Sequence, residues 1–244
     1  MLQYVNRLVD YFKRLSFCLR EWRYRRSYSQ YGEDMLLRGF FKELGKWNWE
    51  YKGFYVDIGA YHPTRLSNTK IFSVAGWRGI NVEPSKEAMQ LFQKTRRRDI
   101  NVHAGIAAVI GELDYYQFSC RPMNTFSKEF AELVIANGAS LSGIEKVPVM
   151  TMEALLDTYL PEGVSIDFVS IDCEGLDFAI LQSNNWHKYR PEFILVEIHT
   201  NGKNWRVQKG PIATFLRSVG YELVGQSFVT ALFQRISNEE RAQT

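Results

Sequence analysis

Short apolar runs and amphipathic stretches alternate along most of the chain. From residue 53 onward, runs of about four to six mostly apolar residues are followed by stretches whose apolar positions recur every three or four residues. Short apolar runs are typical of buried strands, and the wider spacing is typical of helices. The predicted strands cover residues 53–57, 79–83, 100–103, 113–118, 167–172, 193–198, 221–225 and 230–236. The predicted helices cover residues 29–47, 67–75, 84–94, 127–137, 151–159, 176–181 and 211–219.

Capping residues support several of these helix boundaries. Ser29 is a suitable N-cap for the first helix, and Gly76 follows the second helix, where a left-handed residue commonly ends a helix. The residues Arg96, Arg97 and Arg98 follow the third helix, where positive charge complements the helix dipole. We therefore interpret these arginines as a solvated helix end and not as a phosphate-binding patch.

The order of the elements predicts the fold class. Strands separated by helices form right-handed βαβ units, so we expect an α/β fold with a mainly parallel sheet in one domain over residues 29–244. The strand at 113–118 alternates loosely and is predicted at a sheet edge. Residues 119–146 are the least periodic part, and we interpret them as an insertion or lid on the substrate side.

Residues 1–28 differ from the rest of the chain in both pattern and charge. Their apolar residues recur at steps that place them on one helix face: Val5, Leu8, Val9, Phe12, Leu15, Leu19 and Trp22. The other face is largely basic, with seven Lys or Arg against two acidic residues in the segment. Such a helix can lie on an anionic membrane surface or contact a partner through residues 1–26. We favour the alternative in which it packs on its own domain.

Composition excludes several classes of protein. With 244 residues, 45% of them apolar and 23% charged, the chain can bury a sizeable core and lacks the profile of a disordered protein. Three cysteines without C-x-x-C spacing indicate neither a disulfide framework nor a thiolate zinc site. No secretory signal or membrane-spanning apolar run occurs, so we expect a cytoplasmic protein, peripheral to the inner face of a membrane if the basic helix binds lipid.

The net charge is unevenly distributed. The whole chain is +3, but residues 1–28 contribute +5, which leaves −2 for the remainder. We therefore expect no nucleic-acid partner.

Four predicted core strands carry an acidic residue at or next to their last position. These residues are Asp57, Glu83, Asp172 and Glu197. In an open α/β sheet, ligands bind outside the carboxyl ends of the strands, near the point where the strand order reverses. Because carboxylates gathered there repel one another, we expect the ligand to offer hydroxyl groups, positive charge or a metal ion.

The turn after the first of these strands distinguishes two cofactors. Glu83 lies 24 residues after Gly59, comparable to the ~20-residue spacing at which an acid binds the ribose of a nucleotide cofactor. NAD and S-adenosylmethionine both carry such a ribose. A pyrophosphate needs the glycines of G-x-G-x-x-G, but the run Gly59-Ala-Tyr-His-Pro-Thr64 lacks the second and third. Methyl transfer is therefore favoured over hydride transfer.

A second acidic motif follows a later strand. Asp172 and Glu174 lie two residues apart at a strand end, and Glu197 and His199 repeat that spacing after the next strand. These four residues could bind Mg²⁺ or Mn²⁺, or could supply a general base with its orienting acids. Alternatively, Glu174 caps the next helix and His199 is an ordinary histidine at a strand end.

The succession of motifs resembles the FkbM family of S-adenosylmethionine-dependent methyltransferases. The segments that carry the resemblance are Tyr28-Ser-Gln-Tyr-Gly-Glu-Asp34, Tyr55-Val-Asp-Ile-Gly-Ala60, Ser67-Asn-Thr69, Gly76-Trp-Arg-Gly-Ile-Asn-Val-Glu-Pro84, Asp167-Phe-Val-Ser-Ile-Asp-Cys-Glu-Gly175, and Arg190-Pro191 leading to Val196-Glu197. The resemblance covers about residues 28–236. It implies a Rossmann-like class I methyltransferase fold with a seven-stranded sheet and helices on both faces. It also implies O-methylation of a sugar, polysaccharide precursor or other hydroxylated small molecule.

The resemblance also implies roles for individual residues. Those expected to bind S-adenosyl-L-methionine are Gln30, Asp57, Gly59, Ala60, Glu83, Pro84, Ile106 and Asp172. The resemblance does not fix a catalytic base. From the residues themselves we expect His199, Asp172 and Glu174 to be catalytic, because an acceptor hydroxyl must lose its proton. Two alternatives stay open: a nucleotide-cofactor oxidoreductase on a related sheet, and a non-catalytic cofactor-binding module recruited to a membrane or protein partner.

Overall fold

A computed structural model describes residues 26–198, 207 and 209–236, together with residues 11–13 and 16. Most of the helix predicted for residues 1–28, and the candidate base His199, lie outside the described residues. Within the described part of the chain, no helix has the length and apolar character needed to cross a bilayer.

The secondary structure follows the predicted alternation of strands and helices. The strands are β1 (Phe54–Ile58), β2 (Arg78–Val82), β3 (Ile100–Val102), β4 (Gly105–Ile106), β5 (Gly111–Phe118), β6 (Leu141–Met150), β7 (Phe168–Ile171), β8 (Phe193–Glu197), β9 (Tyr221–Gln226) and β10 (Thr230–Arg235). The helices are α1 (Glu33–Glu43), α2 (Lys70–Ala75), α3 (Lys86–Thr95), α4 (Lys128–Ala136), α5 (Met152–Tyr159), α6 (Asp177–Gln182) and α7 (Pro211–Ser218).

The main sheet has seven strands in the order β3-β2-β1-β7-β8-β10-β9. Neighbouring strands are parallel except that β10 runs antiparallel to both β8 and β9. The strand order reverses between β1 and β7, the position at which α/β sheets bind ligands. The predicted α/β class, with a mainly parallel sheet of seven strands, is confirmed.

Both faces of the main sheet are covered, which explains why β1 is buried along its whole length. Val56 packs in the larger core with the helices α5, α6 and α7. Tyr55 points to the opposite face, where Phe41 of α1 packs against Trp77 and Phe168. Helix α1 therefore anchors the segment before it to the sheet.

The first helix starts later than predicted. Helix α1 follows Gly32, which has a φ of 87°, and Ser29 is not its N-cap. The Asp34 carboxylate accepts hydrogen bonds from Ser29 Oγ at 2.9 Å and from the backbone N–H of Tyr28 at 2.7 Å. These bonds satisfy the polar groups of residues 27–29 in a loop, so the chain does not turn helical until Glu33.

A second, three-stranded sheet was not predicted. Its order is β4-β6-β5, and β6 occupies part of the segment that we interpreted as aperiodic. The residues of β6 before Val147 are exposed or half-exposed, and only two of the six are large apolar residues, so no buried alternation marks them as a strand. Antiparallel pairing with β5 along its length holds β6 in place. Strand β5 lies at an edge as predicted, but it is an edge of this second sheet and not of the main sheet.

The arginine run at the end of α3 is only partly solvated. Arg97 and Arg98 are exposed as expected, but Arg96 is 3% exposed. Its guanidinium donates to Thr69 Oγ1 at 2.6 Å and lies 3.5 Å from the Asp99 carboxylate. The interpretation of Arg96 as a solvated helix end is wrong, because the nearby Asp99 carboxylate compensates its charge and Thr69, which is distant in sequence, accepts its hydrogen bond in the interior.

Candidate active site

A cleft of about 500 Å³ opens at the carboxyl ends of β1, β2, β7 and β8. All the residues predicted to hold a cofactor line it: Gln30, Asp57, Gly59, Ala60, Glu83, Pro84, Ile106 and Asp172. Glu174 and Glu197 line the same cleft. The structure therefore gathers all the predicted acidic residues in one cavity. The remaining candidate, His199, lies outside the described residues.

Glu83 follows β2 and is held by two backbone groups. Its Oε2 accepts a hydrogen bond from the Tyr61 N–H, and its Oε1 accepts one from the Ser85 N–H, both at 2.8 Å. Burial raises the pKa of Glu83 to about 7, with a smaller contribution from the Asp57 charge, although the two backbone hydrogen bonds oppose the rise. Each carboxylate oxygen keeps a second lone pair. The side chain is thus fixed in orientation and can still accept hydrogen bonds from a ligand.

Asp57 is the penultimate residue of β1 and is also buried. Its Oδ2 accepts a hydrogen bond from Thr69 Oγ1 at 2.7 Å, and Thr69 in turn accepts one from Arg96. Burial raises the pKa of Asp57 to about 6, although the Thr69 hydrogen bond and the Arg96 charge oppose the rise. The buried arginine is therefore coupled to the cleft through one hydroxyl.

Gly59 lies in the turn that follows β1, where the ends of β1 and β7 approach closely. Its φ is 77°, and a Cβ built on it would lie 2.0 Å from the backbone oxygen of Asp172. Only glycine fits this backbone without displacing the neighbouring strand end. The contact places the turn that contains Gly59 directly beside Asp172.

Three carboxylates meet beyond the ends of β7 and β8. Asp172, Glu174 and Glu197 each offer an oxygen, and these oxygens lie within 4.8 Å of one another. Burial raises the pKa of Asp172, and the charges of Glu197 and Glu174 raise it further. The arrangement suits either a base of high proton affinity or a hard cation.

Glu174 does not play the alternative role of helix cap. The carboxylate of Asp177 accepts the backbone N–H groups of Cys173 at 3.0 Å and Gly175 at 3.3 Å, at the start of α6. Glu174 itself has a φ of 46°, a left-handed conformation that is strained for a residue other than glycine. Such strain concentrates at functional sites, where the surrounding structure imposes it.

Several cleft residues were not predicted from the sequence. His62 lines the cleft, and its Nδ1 accepts the N–H groups of Thr64 and Arg65, both at 3.1 Å. Burial and the Arg65 charge lower the pKa of His62. The imidazole is therefore neutral with its proton on Nε2, so it can donate a hydrogen bond to a ligand.

Ser170 is a second residue that was missed. It lies beside Asp57 in the register of β1 and β7, and Asn68 Nδ2 donates to its Oγ at 3.1 Å. A polar residue inside an otherwise apolar buried strand was the signal that could have identified it.

The buried acids make the stability of the ligand-free protein depend on pH. Burial raises the pKa of Asp57 and Asp177 to about 6 and that of Glu83 to about 7, whereas unfolded carboxyls titrate near 4. The stabilisation from their protonated forms is complete below about pH 4 and is lost as the pH rises to about 7. The part of this stabilisation that is lost between pH 5 and pH 8 is about 1.4–2.7 kcal/mol per group, so we expect the Tm to fall by roughly 3–10 °C per group over that range.

Thermal unfolding in a pH series measures this effect. Glu83→Gln should flatten the curve, whereas Asp157→Asn, at an exposed carboxylate outside the cleft, should leave its shape unchanged. If the Tm stays constant or rises between pH 5 and pH 8, burial does not raise the pKa values of these carboxyl groups as described.

Comparisons with known proteins add family and structural similarities. The family model described as the methyltransferase FkbM domain matches residues 57–223. An O-methyltransferase from Bacillus cereus in complex with S-adenosylhomocysteine is 9% identical, with 92% of this chain and 90% of that chain covered and a TM-score of 0.42. A 1,6-didemethyltoxoflavin-N1-methyltransferase from Burkholderia thailandensis is 12% identical, with coverages of 92% and 87% and a TM-score of 0.40. No curated protein sequence matches the chain.

Proposed function

The chain belongs to the FkbM methyltransferase family, and from this premise we propose that it transfers the methyl group of S-adenosylmethionine to a hydroxyl oxygen of a sugar, polysaccharide precursor or other small molecule. The observation that carries this proposal is the set of carboxylates in one cleft: Asp57, Glu83, Asp172, Glu174 and Glu197. Among the described residues, two arginines, Arg65 and Arg121, also line that cleft, so its carboxylates outnumber its guanidinium groups.

The cleft suits S-adenosylmethionine because of its charge and its hydrogen-bond acceptors. S-adenosylmethionine supplies an electrophilic methyl group on a cationic sulfur and also carries an ammonium group and a ribose. Glu83, fixed by two backbone N–H groups, keeps lone pairs for the ribose hydroxyls. Pro84 and Ile106 supply apolar contacts on the β2 and β4 side, where we place the adenine.

We assign the role of general base to Asp172. A hydroxyl is a weak nucleophile until its proton is removed, and a base works best when its pKa approaches the working pH. Burial and the adjacent Glu197 raise the pKa of Asp172 in that direction. In this scheme the Asp172 carboxylate takes the proton of the acceptor hydroxyl, and Glu174 and Glu197 orient it. His199 stays a second candidate for the base.

A divalent cation is an alternative role for the same carboxylates. Asp172, Glu174 and Glu197 offer the oxygen ligands that Mg²⁺ and Mn²⁺ prefer, and the spacing of their oxygens permits a shared ion. A cation held there would supply positive charge that makes an acceptor hydroxyl more acidic. Contact of residues 1–26 with an anionic membrane surface likewise stays a prediction from their sequence.

Calorimetry tests the cofactor proposal. We expect the protein to bind S-adenosylhomocysteine and not NAD, and Glu83→Ala to weaken binding by about 10- to 150-fold, because hydrogen bonds to a charged group contribute about 1.5–3 kcal/mol. Glu222→Ala, at an exposed acidic residue of β9, should bind as the wild type does.

Other outcomes would favour the alternative functions. Binding of NAD without S-adenosylhomocysteine would favour an oxidoreductase. Binding of S-adenosylhomocysteine without methyl transfer to any hydroxylated acceptor would favour a binding module. If the wild type and Glu83→Ala bind S-adenosylhomocysteine equally well, Glu83 does not contact the ribose.

A further inference from the structure

Two large aromatic side chains are exposed beside the cleft. Tyr31 is 48% exposed and Phe228 is 61% exposed, and their ring centroids lie 5.0 Å apart at an interplanar angle of 50°. Tyr31 lines the cleft. Paired aromatic rings left open to solvent at the edge of a cavity are typical of a ligand-binding surface. We call Tyr31 and Phe228 the aromatic platform.

Hydrogen bonds hold the aromatic platform in position. Ser227 Oγ lies 3.0 Å from the Tyr31 backbone oxygen and 2.9 Å from Glu33 Oε1. Glu33 is buried, and its Oε2 accepts the Tyr31 N–H at 2.8 Å. The Glu33 carboxylate and the Ser227 hydroxyl thus connect the segment before α1 to the turn between β9 and β10. The two exposed rings are preorganised, which lowers the entropic cost of binding a ligand against them.

The aromatic platform lies on the side of the cleft opposite the proposed ribose contact. Val229, next to Phe228, lines the cleft, and Thr230 pairs with Glu197 across β10 and β8. Glu83 follows β2, which the sheet order places on the other side of β1 and β7. The aromatic platform and the carboxylates of Asp172 and Glu197 therefore border the part of the cleft that the adenosine does not need.

We propose that the aromatic platform binds the pyranose ring of a saccharide acceptor, an inference that rests on the proposed methyl transfer. One face of a pyranose consists of C–H groups, which pack against the electron-rich faces of aromatic rings. The ring hydroxyls donate hydrogen bonds, and Asp172, Glu174 and Glu197 offer acceptors in the same cleft. An apolar acceptor would use the platform but would leave these carboxylates without donors.

Saturation-transfer NMR with defined probes tests this proposal. The protein is saturated with S-adenosylhomocysteine and mixed in turn with the methyl glycosides of glucose, galactose, mannose and rhamnose, and with catechol as an aromatic probe. We expect transfer to the C–H protons of at least one glycoside. Phe228→Ser and Tyr31→Ser should each reduce that transfer severalfold, whereas Tyr31→Phe should retain it. Leu44→Ser, at a residue that is also exposed but does not line the cleft, is the control.

The outcomes separate this inference from the proposed function. Calorimetry with S-adenosylhomocysteine on every variant shows whether the fold and the cofactor site persist. If the wild type does not bind S-adenosylhomocysteine, the proposed function fails. If it binds but no glycoside receives saturation, if only catechol does, or if Phe228→Ser behaves as the wild type, the saccharide platform is wrong and the methyltransferase proposal stands.

Discussion

Replacement of Asp172 by asparagine is expected to lower kcat by about 10²- to 10⁴-fold, the usual contribution of a general base. Asparagine has nearly the same shape and keeps one carbonyl oxygen, but it cannot take a proton from the acceptor hydroxyl. Affinity for S-adenosylhomocysteine should therefore change little, because this product carries no sulfonium charge. The measurement is methyl transfer to the acceptor under saturating substrates, combined with calorimetry of the same variant.

The pH dependence of turnover distinguishes a base from a structural residue. Only the ionised Asp172 accepts a proton, so kcat/KM of the wild type should rise with pH through the pKa of this group. Glu197→Gln removes a neighbouring negative charge that raises the pKa of Asp172, so the rise should move to lower pH. Asp172→Asn should remove the rise altogether. Asp157→Asn, at an exposed carboxylate, should match the wild type in both rate and pH profile.

Removal of metal ions decides between the two roles of the carboxylate cluster. If Asp172 acts as the base, turnover should survive dialysis against EDTA. Turnover that is lost in EDTA and restored by Mg²⁺ or Mn²⁺ would assign the three carboxylates to a cation instead. A kcat that is unchanged in Asp172→Asn would exclude both roles for this residue and leave His199 as the candidate.

The strands and helix ends that could be predicted are those that depend on residues close together in the sequence. The main-sheet strands were recognisable because burial on both faces makes them short apolar runs, and Gly76 marks the end of α2 through its backbone preference. The acidic strand ends could be placed in one cleft because a parallel sheet brings its carboxyl ends to one edge. Asp57 and Glu83 lie there as expected.

Features that depend on contacts distant in sequence were not predictable in this way. Strand β6 is specified by pairing with β5 more than by its own apolar pattern. Arg96 is buried because Thr69, 27 residues earlier, accepts its hydrogen bond and connects it to Asp57. Tyr31 and Phe228 meet only because α1 and the turn between β9 and β10 pack together. No sequence window contains both partners of such a contact.

The turn at Gly59 is the most sensitive backbone position of the cleft. In Gly59→Ala, the added methyl group would lie 2.0 Å from the backbone oxygen of Asp172, at a φ of 77°. Left-handed strain costs about 1–2 kcal/mol and overpacking about another 1–3 kcal/mol, so we expect the free energy of unfolding to fall by about 2–5 kcal/mol. This corresponds to a Tm lower by roughly 5–20 °C.

Gly163→Ala separates the two causes of this loss. Gly163 has a φ of 73°, but a Cβ there would have no neighbouring atom within 4 Å. This variant therefore carries the left-handed strain alone and should lose only about 1–2 kcal/mol. It should bind S-adenosylhomocysteine normally, whereas Gly59→Ala should bind it weakly, because the ends of β1 and β7 must separate to admit the methyl group. Equal losses of Tm and affinity in the two variants would mean that the close approach of these strand ends does not shape the cofactor site.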